Sequence, residues 1–267
     1  MTLSYTQISQ YLRCPRAYRH RYLDGWREID SRAASIFGRC FEKALAALLS
    51  GEDSAAILFK EWGNYRDTEL KFSKTDDWNR MFRRGVTLLE RFAQDGRVRI
   101  GHAKQDLQVK LLRTLPNGND FVAYIDGIGE LDGQRCLLEW KTSGARYPEN
   151  PDGLVALDPQ LICYSWISGI PDVAMIVFVR KNLPEIQYFR ASITDVQRQE
   201  FGQLVETTAA QIEAGQFLPH SGIRFPQNGC VSCSHLGLCL NEKQLIDTHL
   251  VRRPGASDFD WLNKFSE

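Results

Sequence analysis

Apolar and polar positions change their rhythm about a third of the way along the chain. Residues 32–50 (RAASIFGRCFEKALAALLS) carry apolar side chains at helical spacing, and 53–69 and 75–95 predict two further helices. A short helix is expected at 4–12, capped by Ser4 or Thr6. From there the period drops to two. Residues 104–114, 120–131 and 134–142 alternate as strands, 158–169 reads as a helix, and 173–181 and 185–193 form a second strand pair. A long helix over about 194–214 and an irregular, cysteine-bearing tail follow. Strands in the middle third with helices before, between and after them predict an α/β fold, a small mixed central sheet flanked by helices. Neither repeats nor a linker break the pattern, so one domain over 1–267 is expected: a helical part at 1–100, a core at 101–215 and a tail at 216–245.

One hairpin stands out. FVAYIDGIGEL (121–131) and QRCLLEWK (134–141) flank Asp132-Gly133, and Asp-Gly suits a type I′ turn, which needs positive φ at both central residues. That turn puts Leu131 opposite Gln134, and then Asp126 opposite Glu139 and Tyr124 opposite Lys141. Side chains alternate along a strand, so Asp126, Glu139 and Lys141 share one face. Opposed side chains have Cβ atoms roughly 5 Å apart, where like charges repel. A divalent cation between the carboxylates removes that conflict, and hard oxygen ligands suit Mg²⁺ or Mn²⁺. A lysine beside such an ion can orient or help deprotonate a water, or stabilise charge developing on a phosphate, which suits phosphodiester hydrolysis. An isolated E-x-K is most often a surface pair; the register and the apolar flanks separate this one from that background.

Two further positions join the candidate site. Gln160 and Tyr164 lie four apart on a predicted helix and share a face. Glu42 sits within the apolar helix 32–50 and, if buried, calls for a cation or other partner.

Composition narrows the class without naming a partner. Charged residues make up 25% and hydrophobic ones 43%, ordinary values for a globular protein. No run approaches the ~18 apolar residues of a membrane span, and the first residues lack a signal peptide's apolar core, so a cytoplasmic location without membrane attachment is expected. Lysine plus arginine equal aspartate plus glutamate at 33 each. Basic residues cluster at Arg13, Arg16, Arg19, His20 and Arg21, and again at Arg83, Arg84, Arg97 and Arg99, but such clusters are commonly solvated faces.

Seven cysteines without a secretory signal argue against a disulfide framework. Cys40, Cys136 and Cys163 lie in apolar or helical runs and read as buried thiols. Cys230-x2-Cys233-x5-Cys239 has metal-ligand spacing, and Cys14 is a candidate fourth thiolate from the other end of the chain. Spacing leaves zinc and an iron–sulfur cluster both open. His235, within that loop, is an alternative ligand, although loop histidines are more often solvated.

Taken in order, LSYTQISQYLRCPRAYRHRYL, FGRCFEKAL, IDGIGEL…LLEWKTS, QLICYSWI and CVSCSHLGLC resemble the PD-(D/E)XK nuclease superfamily. The nearest subgroup is the RecB-like exonucleases with a four-cysteine iron–sulfur cluster, similar to the C-terminal nuclease domain of AddB and to CRISPR-associated RecB-like nucleases. The resemblance implies a metal-dependent DNA exonuclease acting on single strands or duplex ends. Its setting would be DNA repair or recombination, CRISPR adaptation or phage DNA processing, with protein partners in such a complex. It implies Asp126 and Glu139 as Mg²⁺ or Mn²⁺ ligands, Lys141 as the catalytic lysine, and Gln160 and Tyr164 as the element positioning the substrate backbone. Cys14, Cys230, Cys233 and Cys239 would hold a [4Fe–4S] cluster, with zinc the less favoured alternative. Two positions depart from the pattern. The usual histidine four residues after a helical glycine is Glu42, following Gly38, and a glycine often found before the motif aspartate is Ala123. Glu42 remains a candidate metal ligand, since other branches use a glutamate there. The same substitution leaves open a non-catalytic DNA-binding or scaffold subunit that retains the fold.

Overall fold

The structure, a computed structural model, describes residues 1–29, 32–149, 154–220 and 229–253. In chain order, β1 (Thr2–Ser4) leads into α1 (Tyr5–Arg13), α2 (Pro15–Tyr18), a π-helical turn (Arg19–Leu23) and β2 (Trp26–Glu28). Helices α3 (Ala33–Leu49), α4 (Ser54–Gly63) and α5 (Trp78–Asp95) follow. Next come β3 (Val98–Arg99), α6 (Ala103–Asp106), β4 (Leu107–Thr114), β5 (Asp120–Leu131) and β6 (Gln134–Ser143). The chain continues with α7 (Pro159–Ser168), β7 (Asp172–Val179), β8 (Glu185–Ser192) and α8 (Asp195–Glu213). It closes with α9 (Leu236–Leu240), α10 (Lys243–His249) and β9 (Leu250–Arg252). Of the expected 216–245 tail, residues 221–228 lie outside the described residues.

Local chemistry explains most boundaries. Ser4 caps α1, its Oγ accepting from Gln7 N–H at 3.4 Å. Asp53 and Asp77 cap α4 and α5 in the same way, at 3.0 and 2.8 Å. Gly96 ends α5 in the left-handed conformation. The helix expected over 53–69 stops at Gly63. Beyond it, Tyr65, Arg66 and Thr68 donate to carbonyls three residues back (Trp62, Gly63 and Tyr65), so the chain tightens into turns through Gly63-Asn64. The strand expected from residue 104 begins at Leu107, because the Asp106 carboxylate accepts from His102 N–H at 2.8 Å and holds a helical turn first.

The chain divides into two compact units: Met1–Thr2 with Ser31–Leu204, and Leu3–Asp30 with Val205–Glu267. The first contains a mixed α/β layer structure. β3 and β4 pair antiparallel with one edge of β5, β6 pairs antiparallel with β5, β7 is parallel to β6, and β8 is antiparallel to β7. The parallel step needs a crossover, which α7 supplies. Met1–Thr2 joins this sheet beside β5, the Met1 carbonyl accepting from Asp120 N–H at 3.0 Å. On one sheet face Leu138, Ala174, Ile176 and Phe178 pack with Phe37, Phe41 and Leu45 of α3 and Leu88 and Phe92 of α5. Beneath them Trp62 and Trp78 stack with centroids 6.0 Å apart, each indole N–H donating to the other's carbonyl at 3.2 Å. α7 packs across β4 to β7 with Leu161, Cys163 and Tyr164 buried.

In the second unit β2 and β9 form a two-stranded antiparallel ladder, Trp26 facing Arg252. Tyr11, Tyr18 and Phe217 form its aromatic centre, and the Tyr11 hydroxyl donates to the Gln216 carbonyl at 2.7 Å. Among the described residues no helix is long and apolar enough to cross a membrane.

Candidate active site

The hairpin has the predicted turn: Asp132 and Gly133 take φ of 53° and 78°. Its ladder runs in the expected register from Leu131–Gln134 to Gly127–Leu138. There the two strands part, β6 going on beside β7 while β5 remains beside β4. Asp126 and Glu139 are therefore not a directly opposed pair. Instead Asp126 Oδ2 reaches across and accepts the backbone N–H of Trp140 at 2.9 Å.

Glu139 is 2% exposed. Its Oε1 accepts from Lys141 Nζ, and its Oε2 is buried with no hydrogen-bond partner. Lys141 also donates to Gln160 Oε1 at 2.8 Å, and the Gln160 amide N–H donates to the Tyr164 hydroxyl oxygen at 2.7 Å. A continuous polar line thus runs from Glu139 through Lys141 and Gln160 to Tyr164. Glu42 comes from α3. A Cβ on Gly38 would lie 3.2 Å from Thr142 Oγ1, so this glycine lets the helix pass close over β6 one turn before Glu42. Glu42 Oε1 accepts from Gln108 Nε2 at 2.7 Å.

The electrostatics follow from burying carboxylates beside one another. Burial and the neighbouring Glu139 push Glu42 up to about 7. Burial, then Glu139 and Glu42, raise Asp126 well above the usual carboxylate range, although the Trp140 N–H opposes this. Burial disfavours the charge on Lys141, but Glu139 and Asp126 outweigh it and raise the pKa above the ordinary lysine value. Burial and the same two carboxylates raise the Tyr164 hydroxyl as well.

The residues fit a divalent cation in donor chemistry: three carboxylates that repel one another, and one buried oxygen without a partner. They do not form a finished cage. Among the described residues no three His, Cys, Asp or Glu side chains are drawn closely enough together to hold an ion. Here Lys141, Trp140 and Gln108 each take one carboxylate.

The sequence model of the PD-(D/E)XK nuclease superfamily matches residues 2–240. The chain belongs to this superfamily. Similarity to solved structures is distant in sequence. A protein named as an exonuclease from Eubacterium rectale superposes with a TM-score of 0.55 at 14% identity, covering 97% of this chain and 92% of its own. SSO0001 gives 0.40 at 16% identity over 89% and 85% of the two chains. LHK-Exo in complex with dAMP gives 0.32 at 14% identity over 68% and 93%. No curated protein matches the sequence significantly.

PD-(D/E)XK nucleases generally use divalent metals. Of the residues singled out in the sequence, Asp126 lies on β5, Glu139 and Lys141 on β6, and Gln160 and Tyr164 on α7. Three site features were not read from the sequence. Gln108 holds Glu42, and a glutamine within a strand carries no local signal. The Trp140 N–H holds Asp126, which depends on where the strands part. Asp158 caps α7, its Oδ1 accepting from Gln160 N at 2.8 Å and Leu161 N at 3.1 Å, and its charge helps raise Lys141. The Asp158-Pro159 pair, an N-cap followed by proline at the first helical position, was a readable signal for it.

The cysteines divide as expected. Cys40, Cys136 and Cys163 are buried, and all seven are free thiols. Cys14 stands at the N-cap of α2, Cys230 and Cys233 share a turn, and Cys239 lies in α9, all within the second unit. Burial, and then the charges of Cys14, Cys239 and Cys230, raise the Cys233 thiol. They too are not gathered closely enough to hold an ion. His235 is not solvated. It is 3% exposed, stacks on His20 at 6.1 Å, and burial lowers its pKa to about 4.

Proposed function

We propose that this chain is a Mg²⁺- or Mn²⁺-dependent deoxyribonuclease, an exonuclease that hydrolyses phosphodiester bonds in single-stranded DNA or at duplex ends. The observation that carries the reading is the unpartnered, buried Glu139 Oε2 beside Lys141, with Asp126 and Glu42 raised in pKa by burial and then by the same glutamate. Glu42, Asp126 and Glu139 would hold the cation, which supplies an activated water and charge neutralisation at the phosphate. Lys141, held in its charged form, acts as a donor. It orients the water or meets the developing negative charge on the phosphate. Gln160 fixes the ammonium, and Tyr164 fixes Gln160, so α7 aligns the lysine against the scissile phosphate. Cys14, Cys230, Cys233 and Cys239 form the thiolate set for a structural [4Fe–4S] cluster; four free cysteines from two ends of one unit suit that donor chemistry.

The test uses anaerobically purified protein with end-labelled single- and double-stranded DNA in Mg²⁺, Mn²⁺ or EDTA. Metal-dependent shortening that Lys141→Ala abolishes is the expected result. DNA binding without cleavage in every condition overturns the assignment. Broad visible absorbance that disappears in Cys230→Ser distinguishes the cluster from zinc.

A further inference from the structure

Gln108 is one of three described non-glycine residues with positive φ, at 51°. The other two, Asp132 and Asn241, occupy a hairpin turn and a helix C-cap, where that conformation is ordinary. Gln108 instead lies near the start of β4. Paired positions of β4 and β5 sum to 234, from Leu107–Gly127 and Val109–Ile125 onward, which puts Gln108 opposite Asp126. The ladder passes over this one position. A left-handed glutamine inside a strand is strained, and such strain persists where surrounding structure imposes it and clusters at functional sites.

At this position the side-chain amide donates to Glu42 Oε1 on α3 at 2.7 Å. The strained position thus lies level with Asp126 between the flanking pairs of the ladder and reaches Glu42 by hydrogen bond. Glu42 itself stands one turn after the close crossing at Gly38. A long, flexible glutamate replacing a rigid imidazole would otherwise have several rotamers open to it, including ones turned away from Glu139.

We infer that Gln108 is a positioning residue whose strained backbone aims its amide at Glu42, holding that carboxylate toward Asp126 and Glu139 as the third ligand of the cation. This rests on the proposed function, in which those three carboxylates hold a divalent ion. A partner that orients a ligand in this way commonly contributes about 10- to 100-fold in metal affinity.

The experiment measures Mn²⁺ binding to DNA-free, anaerobically purified protein by electron paramagnetic resonance, counting only the binding lost in Asp126→Asn. Thermal unfolding is followed in parallel. Gln108→Gly accepts positive φ without strain and removes the amide, so a purely architectural residue leaves affinity unchanged and stability equal or higher. The inference expects affinity to fall by about tenfold or more with the fold intact, and to fall no further when Gln108→Gly is added to Glu42→Gln. Undiminished Mn²⁺ affinity in Gln108→Gly overturns it, and so do losses that simply add in the double variant. Should Gln108→Gly not fold, Gln108→Asn takes its place, since asparagine tolerates this backbone but has a shorter reach. A parent protein that shows no Asp126-dependent Mn²⁺ binding overturns the metal-site reading itself, and this inference with it.

Discussion

Gln160 Oε1 accepts the Lys141 ammonium at 2.8 Å, tying a helix residue to a strand residue across the site. The same glutamine donates to the Tyr164 hydroxyl; flipping its amide would turn an N–H toward the ammonium and lose the Lys141 bond. Removing a hydrogen bond to a charged group costs roughly 1.5–3 kcal/mol. If that loss is felt in the transition state, Gln160→Ala lowers kcat about 10- to 100-fold. Steady-state kinetics on end-labelled DNA checks this, with KM expected to change less than kcat. Tyr164→Phe, which leaves the Lys141 bond in place, has the smaller effect.

The Glu42 contribution to metal-free stability should fall with rising pH. Glu42 is raised from an ordinary 4.5 to about 7, so between those values the folded state binds more protons than the unfolded one. Its contribution is fully present below about 4.5 and is lost as pH rises through about 7. Asp126 shifts in the same direction. Denaturant titrations in EDTA across that range show the Glu42 contribution as the difference between the parent and Glu42→Gln, since the lowered His235 adds a slope of opposite sign to both, and Mn²⁺ restores stability at the alkaline end.

Asp158→Ala removes the side-chain cap of α7, an effect of about 1 kcal/mol on stability. Because that helix carries Gln160 and Tyr164, activity should drop more than folding does at assay temperature. Paired denaturation and nuclease measurements distinguish the two effects.

Gly129→Ala should destabilise strongly. An added Cβ would lie 2.4 Å from the Arg99 carbonyl oxygen, a backbone atom fixed by the β3–β5 ladder. Overpacking of this kind costs roughly 1–3 kcal/mol. Thermal unfolding checks it, and Gly63→Ala, where an added Cβ meets nothing within 4 Å, is the tolerated control.

The hairpin was legible because a two-residue period and an Asp-Gly turn together set register, and one slipped residue would have buried the wrong face. Its far end was not. The ladder between β5 and β6 ends at Leu138 while β6 runs on beside β7 at its other edge, and no local pattern encodes that end point. Glu42 was visible as an acid in an apolar helix, but Gln108, which holds it, belongs to a strand whose alternation gives no hint of a left-handed residue. The cysteine spacing and the Gln160–Tyr164 interval were readable because each is a short-range relation. The burial of His235 was not, since it depends on His20, far away in sequence.

The Asp126–Trp140 contact makes one carboxylate serve two masters. The oxygen that accepts Trp140 N–H substitutes for a strand partner, so Asp126→Ala strips charge from the site and also leaves a backbone donor unanswered. Asp126→Asn keeps an acceptor in place while removing the charge. For capturing intact DNA on an inert enzyme, asparagine is the substitution that leaves the sheet closed, and an alanine scan at this position would report folding and chemistry as a single inseparable loss.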